Sequence, residues 1–264
     1  MQTLADLGPL VVAMLVVAAA LAGWVDAVSG GGGLVQLPSL LLALPDAPPA
    51  TALGTNKLAS VWGTASAAVT YRRAAVTDVA TALPMALAAL VGAVLGAITA
   101  THLPGGAFRP GALGLLVVVG AVTLLRPAMG EGQDLRWHGS PQHSRHRVAA
   151  VGMGAVIGWY DGVFGPGTGT FLVFGLVALL GYSFLNASAI AKVVNVATNL
   201  AALVVFAAGG HVLWAVGLLM GAANVAGAFV GARAAVRRGS GFVRVVFLAV
   251  VAVLLVSLGV QQWR

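Results

Sequence analysis

Four charged side chains lie inside long apolar stretches, where an ionised group is usually paired with an opposite charge or has a function. They are Asp26, Asp161 and the chain's only two lysines, Lys57 and Lys192. An ionised side chain is costly in apolar surroundings, at about 2.5–3.5 kcal/mol for a lysine at the centre of a membrane helix. Such residues are typical of buried ion pairs, proton relays and sites that bind a small anion.

A glycine-rich break follows each aspartate. Gly30–Gly33 are four consecutive glycines, and Gly165–Thr170 reads Gly-Pro-Gly-Thr-Gly-Thr. Glycine permits backbone conformations that other residues resist. A helix that restarts after such a break presents free N–H groups and a partial positive charge, both suited to an anion. The candidate binding residues near the breaks and the lysines are Gly32, Gly33, Thr55, Asn56, Lys57, Gly167, Thr168, Thr170, Lys192, Asn195 and Asn199.

The aspartates have two open roles. Each could form a structural ion pair with the lysine of its own half, Asp26 with Lys57 and Asp161 with Lys192. Alternatively, the lysines contact substrate and the carboxylates carry protons. Because each carboxylate has a lysine neighbour, we expect both to stay ionised and to position the lysines, which favours export driven by the membrane potential.

The elements that position these residues are predicted to be membrane helices. The 264 residues are 59% hydrophobic and 8% charged, whereas soluble domains are about a quarter charged. Uncharged stretches such as 79–101 and 212–232 reach the roughly 20 residues that cross a bilayer. The net charge of +7 indicates loop arginines rather than nucleic-acid binding. No basic residue precedes the first apolar run, so we expect a retained span instead of a signal peptide.

The chain is predicted to be a duplication. Shifting the sequence by 135 residues aligns Gly23-Trp24-Val25-Asp26 with Gly158-Trp159-Tyr160-Asp161 and Lys57 with Lys192, without a gap. Alanine often aligns with alanine by chance in two apolar segments, but a chance alignment rarely matches tryptophan, aspartate and lysine in one register. The same shift aligns Gly92 and Gly96 with Gly227 and Gly231, whose spacing is typical of close helix packing.

We therefore predict an all-α polytopic membrane protein with two inverted repeats of about five helical segments each. The first repeat is 1–129, a cytosolic connecting loop is 130–146, and the second repeat is 147–264. The second segment of each repeat is short and starts at glycines, so we expect a broken or re-entrant helix. The predicted segments are 9–28, 34–44, 52–71, 78–100, 109–126, 147–163, 168–181, 187–208, 212–233 and 243–262.

The arginines indicate the orientation. Arg72 and Arg73 end the third segment, and Arg233 follows the ninth. Four arginines lie in 126–147, whereas the turn near Gly210 has none. Since basic loops stay cytosolic, equivalent positions in the two halves face opposite sides, which is the inverted-repeat plan of many secondary transporters. Arg109 and Arg264 fall on the predicted outer side and count against this orientation.

The sequence resembles the TauE/SafE family, also called the sulfite exporter or DUF81 family. The resemblance rests on Asp26–Gly33, Ala52–Lys57 and Gly158–Thr170, and it covers nearly the whole chain. It implies a permease of the inner (plasma) membrane for small sulfur-containing anions such as sulfite, sulfonates or sulfoacetate, or for related organic anions.

We expect a secondary permease that moves such an anion across the inner membrane, in the export direction. An anion channel and a proton-coupled importer remain alternatives. We expect no enzymatic activity, no cofactor, no metal and no nucleic-acid partner; the partners are a small anion and membrane lipid, with a homo-oligomer left open. The histidines His138, His143 and His146 lie among arginines, which favours a solvated connector over a metal site.

The orientation predicts opposite labelling of two positions. The chain has no cysteine, so a single cysteine at Gly210 or at Arg72 reports its own accessibility. An impermeant thiol reagent applied to intact cells should modify Gly210→Cys and should spare Arg72→Cys until the membrane is opened. Labelling of both from the same side would contradict the inverted arrangement.

Overall fold

The computed structural model describes residues 7–74, 77–100, 130, 132–135 and 144–262. Over these ranges the protein is helical, without a β-strand. The predicted segment 109–126, Arg109, Arg264, His138 and His143 lie outside the described residues. The helices are α1 (Pro9–Ser29), α2 (Gly33–Ala43), α3 (Pro49–Arg73), α4 (Val79–Ala100), α5 (Ser144–Val163), α6 (Thr168–Ala178), α7 (Phe184–Ala208) and α8 (Trp214–Gln262).

The helix bounds differ from the predicted ones where capping or a turn decides them. Helix α7 begins at Phe184 because the Ser183 hydroxyl accepts a hydrogen bond from the Asn186 amide at 3.3 Å. Helix α5 begins at Ser144, inside the predicted loop. The predicted segments 212–233 and 243–262 are joined in α8, with a kink at Gly239, whose φ of 74° is left-handed.

Helices α2 and α6 are short, as predicted. Each has 11 residues, about 16 Å at 1.5 Å per residue, which is well short of the roughly 30 Å of hydrocarbon. Among the described residues, four helical stretches are long and apolar enough to cross a membrane: Pro9–Ser29, Val79–Ala100, Phe184–Ala208 and Trp214–Val253. Helix α3 also has 25 residues, but its polar side chains face the protein interior and lower its hydropathy.

The exposed sides of α1 and α4 are apolar stripes. Leu10, Met14, Val17 and Leu21 recur along one side of α1, and α4 exposes a similar series of leucines and valines. Residues three or four positions apart share a helix face. Such an exposed apolar face is typical of a helix that contacts lipid.

Glycines form two close helix contacts, as predicted. Gly92 of α4 lies where a Cβ would collide with the Ala155 carbonyl of α5, and Gly227 of α8 lies where a Cβ would collide with the Ala20 carbonyl of α1. Gly92 and Gly227, like Ala20 and Ala155, are related by the shift of 135 residues. The same packing therefore occurs twice, each time between one half and the other. The opposite membrane orientation of the halves stays a prediction.

The C-terminal end of α1 is held by side chains from two other helices. The Tyr71 hydroxyl of α3 donates to the Ala27 carbonyl at 2.8 Å, and the Ser188 hydroxyl of α7 donates to the Val28 carbonyl at 2.9 Å. Carbonyls at a helix end lack intrahelical partners and need others when buried. These bonds fix the place where the chain enters its first glycine break.

The tight α4–α5 contact predicts a matched pair of effects. A Cβ at Gly158 would meet the backbone of Ala89, whereas a Cβ at Gly152, on the same helix, would have nothing within 4 Å. Gly158→Ala should lower the thermal midpoint of the purified protein in detergent, because backbone atoms cannot move aside. Gly152→Ala should leave it unchanged or raise it, since alanine is the better helix former by up to about 1 kcal/mol. Equal effects of the two substitutions would contradict the close packing.

Candidate functional site

The two glycine breaks meet each other inside the protein. Gly30 and Gly31 have φ of 78° and 108° between α1 and α2, and Gly165 and Gly167 both have φ of 83° between α5 and α6. These left-handed values favour glycine strongly. A Cβ at Gly169 would lie 2.6 Å from the Cα of Gly30. Glycine is thus required both by the turns and by the contact between the first break and the start of α6.

A small polar cavity lies where the breaks meet α1, α3, α5 and α7. Its volume is about 30 Å³, room for about two water molecules. Both repeats contribute to its wall. The lining residues are Asp26, Gly31, Gly33, Asn56, Lys57, Ser60, Thr64, Asp161, Gly165, Gly167, Thr168, Gly169, Asn195 and Asn199.

The lysines pair with aspartates of the opposite half. Lys57 Nζ lies 2.8 Å from Asp161 Oδ2, and Lys192 Nζ lies 2.8 Å from Asp26 Oδ2. The predicted pairing within each half is therefore wrong. Distance along the chain suggested the own-half partner, but each lysine reaches the last turn of the opposite repeat's first helix. There the negative end of the helix dipole adds to the carboxylate charge.

The two ion pairs are buried, so neither partner can be removed cheaply. The Lys57 and Asp161 side chains are 2% and 5% exposed, and those of Lys192 and Asp26 are 0% and 18% exposed. Removing one member of a buried pair typically costs 3–5 kcal/mol, because the other charge is left uncompensated. An anion that approached Lys57 would thus compete directly with Asp161.

The surroundings of the two pairs differ. Lys192 donates to the backbone carbonyl of Asp26 at 2.6 Å in addition to its carboxylate. Asp161 Oδ1 instead lies 2.7 Å from Thr168 Oγ1, which is also 2.8 Å from the Gly165 carbonyl oxygen. The equivalent of Thr168 in the first repeat is Gly33, which has no hydroxyl. Only the Asp161 pair has this hydroxyl between a carboxylate and a carbonyl.

Amides and hydroxyls complete the cavity wall in equivalent pairs. Ser60 and Asn195 occupy the same position in the two repeats, as do Thr64 and Asn199. Sequence reasoning missed Ser60 and Thr64, although applying the 135-residue shift to Asn195 and Asn199 would have found them. The side-chain oxygen of Asn195 is buried without a hydrogen-bond partner among the described residues, as is that of Asn56.

Four of the candidate binding residues lie outside the cavity wall. Lys192 is held against Asp26, and the Thr170 hydroxyl donates to the Gly30 carbonyl at 3.2 Å. The Thr55 hydroxyl donates to the Thr51 carbonyl at 2.7 Å and accepts from the Leu213 amide at 3.0 Å. A Cβ at Gly32 would collide with α1. These residues shape the site instead of lining it.

His146 lies in a second polar cluster, away from the cavity. It was expected in a solvated loop, but its side chain is 0% exposed. Its Nε2 lies 3.0 Å from the Thr81 hydroxyl and 3.3 Å from the Tyr182 hydroxyl, which donates to Asp78 at 2.6 Å. Burial, and then the bond to Asp78, raises the pKa of Tyr182. The solvated interpretation is wrong for His146, because α5 begins earlier than predicted and carries it into the interior.

Comparison with known proteins identifies the family. The family model described as "Sulfite exporter TauE/SafE" matches residues 15–258. The chain belongs to the TauE/SafE family. It is 41% identical to a probable membrane transporter protein, ORF9, of a Sinorhizobium species, over 90% of this chain and 88% of that protein. It is 33% identical to the probable membrane transporter protein YfcA of Escherichia coli K12, over 93% of this chain and 88% of YfcA.

A third relative, a probable membrane transporter protein of Haemophilus influenzae, is 33% identical over 90% of this chain and 91% of its own length. No solved structure matches the chain. The protein is thus a membrane transporter of the TauE/SafE type, and its role is transport instead of catalysis.

Because each lysine pairs with the aspartate of the opposite half, we can predict which double substitution restores stability. Lys57→Gln alone should destabilise the protein by about 3–5 kcal/mol, because Asp161 is left buried without its partner. Adding Asp161→Asn should recover most of this loss, whereas adding Asp26→Asn should not, since Asp26 is bound to Lys192. Thermal unfolding of the three variants in detergent measures the difference. If adding Asp26→Asn restored stability and adding Asp161→Asn did not, the result would instead support pairing within each half.

Proposed function

We propose that this protein is a multi-pass secondary permease of the inner membrane that moves a small oxyanion, with sulfite and organic sulfonates as the substrate class. The cavity is the main support for this proposal. The N-termini of two helices that follow glycine breaks, one lysine and several neutral hydrogen-bond donors converge there. The description of the matching family as a sulfite exporter supports sulfur as the central atom of the anion.

The helix ends supply directed donors and positive potential. Gly33 is the first residue of α2 and Gly169 the second residue of α6, and both line the cavity. N–H groups in the first turn of a helix have no intrahelical acceptor. Together with the partial positive charge of a helix N-terminus, they suit the separate oxygens of a sulfite or sulfonate group.

Neutral side chains supply the remaining donors. Asn56, Asn195 and Asn199 each carry an amide group on the cavity wall, and Ser60 and Thr64 carry hydroxyls. An amide or a hydroxyl can donate to an oxyanion without adding a buried charge. Because these donors come from both α3 and α7, a bound anion would contact both repeats at once.

The cavity favours a carrier over a channel. A channel needs a continuous path, whereas this cavity has a volume of about 30 Å³, too small for a hydrated anion. Binding therefore requires the helices around the cavity to move apart. The close glycine packing between halves occurs twice, at α1–α8 and at α4–α5, which suits rocking of one repeat against the other around a central site. The inverted orientation of the repeats belongs to this proposal.

The direction of transport depends on what accompanies the anion. An anion that crosses alone is driven out of a negative-inside cell by about 2.3 kcal/mol per charge per 100 mV. That was the basis for expecting export from the sequence. An anion that crosses with a proton responds to the proton gradient instead, so the roles of the two aspartates decide the direction.

The proposal predicts that the cavity amides set the substrate affinity. In membrane vesicles containing the protein, labelled sulfite or sulfoacetate should show saturable flux that unlabelled substrate exchanges. Asn195→Ala should raise the half-saturating concentration about five- to tenfold, as expected for losing one hydrogen bond of about 1–1.5 kcal/mol. Asn186→Ala, on the same helix but outside the cavity, is the matched control and should not change it. Flux that rises linearly without saturation would contradict a carrier.

A further inference from the structure

We propose that a proton crosses the membrane with the anion, that Asp161 carries this proton, and that Asp26 stays ionised as the fixed partner of Lys192. This inference rests on the proposed anion transport and assigns its coupling ion. Three observations carry it: the charge balance of the cavity, the position of the Thr168 hydroxyl, and the difference between the two ion pairs.

The first observation is that the buried charges balance before an anion enters. Asp26, Asp161 and Lys57 are the charged residues of the cavity wall, and Lys192 is bound to Asp26. Two lysines and two aspartates sum to zero. A monovalent anion would add one uncompensated negative charge to a buried site, which is unfavourable. Uptake of one proton by a carboxylate restores a sum of zero.

The second observation is that Thr168 fits a neutral Asp161. Its hydroxyl has one hydrogen but lies within hydrogen-bond distance of two acceptors, at 2.7 Å from Asp161 Oδ1 and 2.8 Å from the Gly165 oxygen. With Asp161 ionised, the hydroxyl can satisfy only one of them. With Asp161 protonated, the acid donates to Thr168, and Thr168 donates to Gly165. Both short contacts are then hydrogen bonds.

The third observation is that only one of the two lysines is placed to contact an anion in the cavity. Lys57 lines the cavity, whereas Lys192 does not. Lys192 is also held by two oxygens of Asp26, its carboxylate and its carbonyl. An anion bound at Lys57 therefore displaces Asp161 and leaves the Asp26 pair intact. The displaced carboxylate is the one next to Thr168.

The other titratable groups around Asp161 do not replace it as the proton carrier. Lys57 of α3 is bound to it, and Asp26 of α1, paired with Lys192 of α7, lies in the same cavity wall. On its own helix the neighbouring Tyr160 donates its hydroxyl to the Pro166 carbonyl at 2.9 Å. The proton is taken from water on the side where the anion enters and returns to water on the other side.

Proton coupling reverses the direction expected from the sequence. A monovalent anion and a proton cross without net charge, so the membrane potential does not drive them. In a cell that keeps its exterior acidic, the pair moves inward. Export driven by the membrane potential assumes that both carboxylates remain ionised. The different surroundings of Asp161 and Asp26 argue against the same role for both in transport.

Transport by the purified full-length protein in proteoliposomes tests this inference in two arms. The probe is labelled methanesulfonate, whose charge stays −1 at any working pH. In the first arm, with no gradients, wild-type protein should exchange internal for external probe. In the second arm, with the potential clamped to zero, an acidic exterior should drive accumulation of about tenfold per pH unit. A trapped pH dye should report one proton entering per anion.

Two variants then separate the carboxylates, and the readout is accumulation with the pH gradient divided by accumulation without it. The ratio of Asp161→Asn should fall to one, even if its exchange is slowed by the loss of the Lys57 partner. The double variant Asp26→Asn with Lys192→Gln should keep a ratio well above one, even if its exchange is slow.

The contradicting results are distinct from failure of the proposed function. Absence of exchange by wild-type protein with methanesulfonate, sulfite and sulfoacetate alike would overturn the proposed function and this inference with it. Exchange without gradient-driven accumulation or proton entry would overturn proton coupling alone. A normal ratio in Asp161→Asn, or loss of its exchange, would remove Asp161 as the proton carrier.

Discussion

The structure depends on two lysines that are held deep in the protein by carboxylates of the opposite half. Lys57 binds Asp161, and Lys192 binds Asp26. Neither charge could be stable in an apolar interior without its partner, so each pair ties the two halves together near the glycine breaks. The breaks let α2 and α6 begin beside these pairs. Together with α1, α3, α5 and α7, the breaks then enclose a cavity between the halves.

This arrangement links binding to movement. In the proposed transport cycle, the cavity of about 30 Å³ enlarges to admit the anion, and the anion competes with Asp161 for Lys57. Entry of the anion would then loosen one of the two ion pairs between the halves while the other persists. A site whose occupation weakens one cross-repeat contact is suited to a carrier that changes its shape around the bound substrate.

Much of this could be predicted from the sequence. The sequence identifies the four buried charges because lysine and aspartate are unusual within membrane helices. It identifies the glycine breaks and the packing glycines because these glycines occur in runs or four residues apart. The ion-pair partners were wrong, because a repeat alignment shows which positions are equivalent and not which positions touch. Ser60 and Thr64 were missed because hydroxyls are common in membrane helices and carry no signal alone. His146 was misplaced because the start of α5 has no clear apolar boundary.

In the proposed mechanism a small anion binds between the halves, at the cavity wall that α3 and α7 share. The most direct test is to place a single cysteine at Ser60 or at the equivalent Asn195, and to measure its rate of modification by two small thiol reagents, one a sulfonate and one a quaternary ammonium. At both positions the sulfonate reagent should react about tenfold faster than the quaternary ammonium reagent. Added methanesulfonate should slow the reaction of the sulfonate reagent. Faster reaction of the cationic reagent, or no protection at either position, would contradict the proposed mechanism.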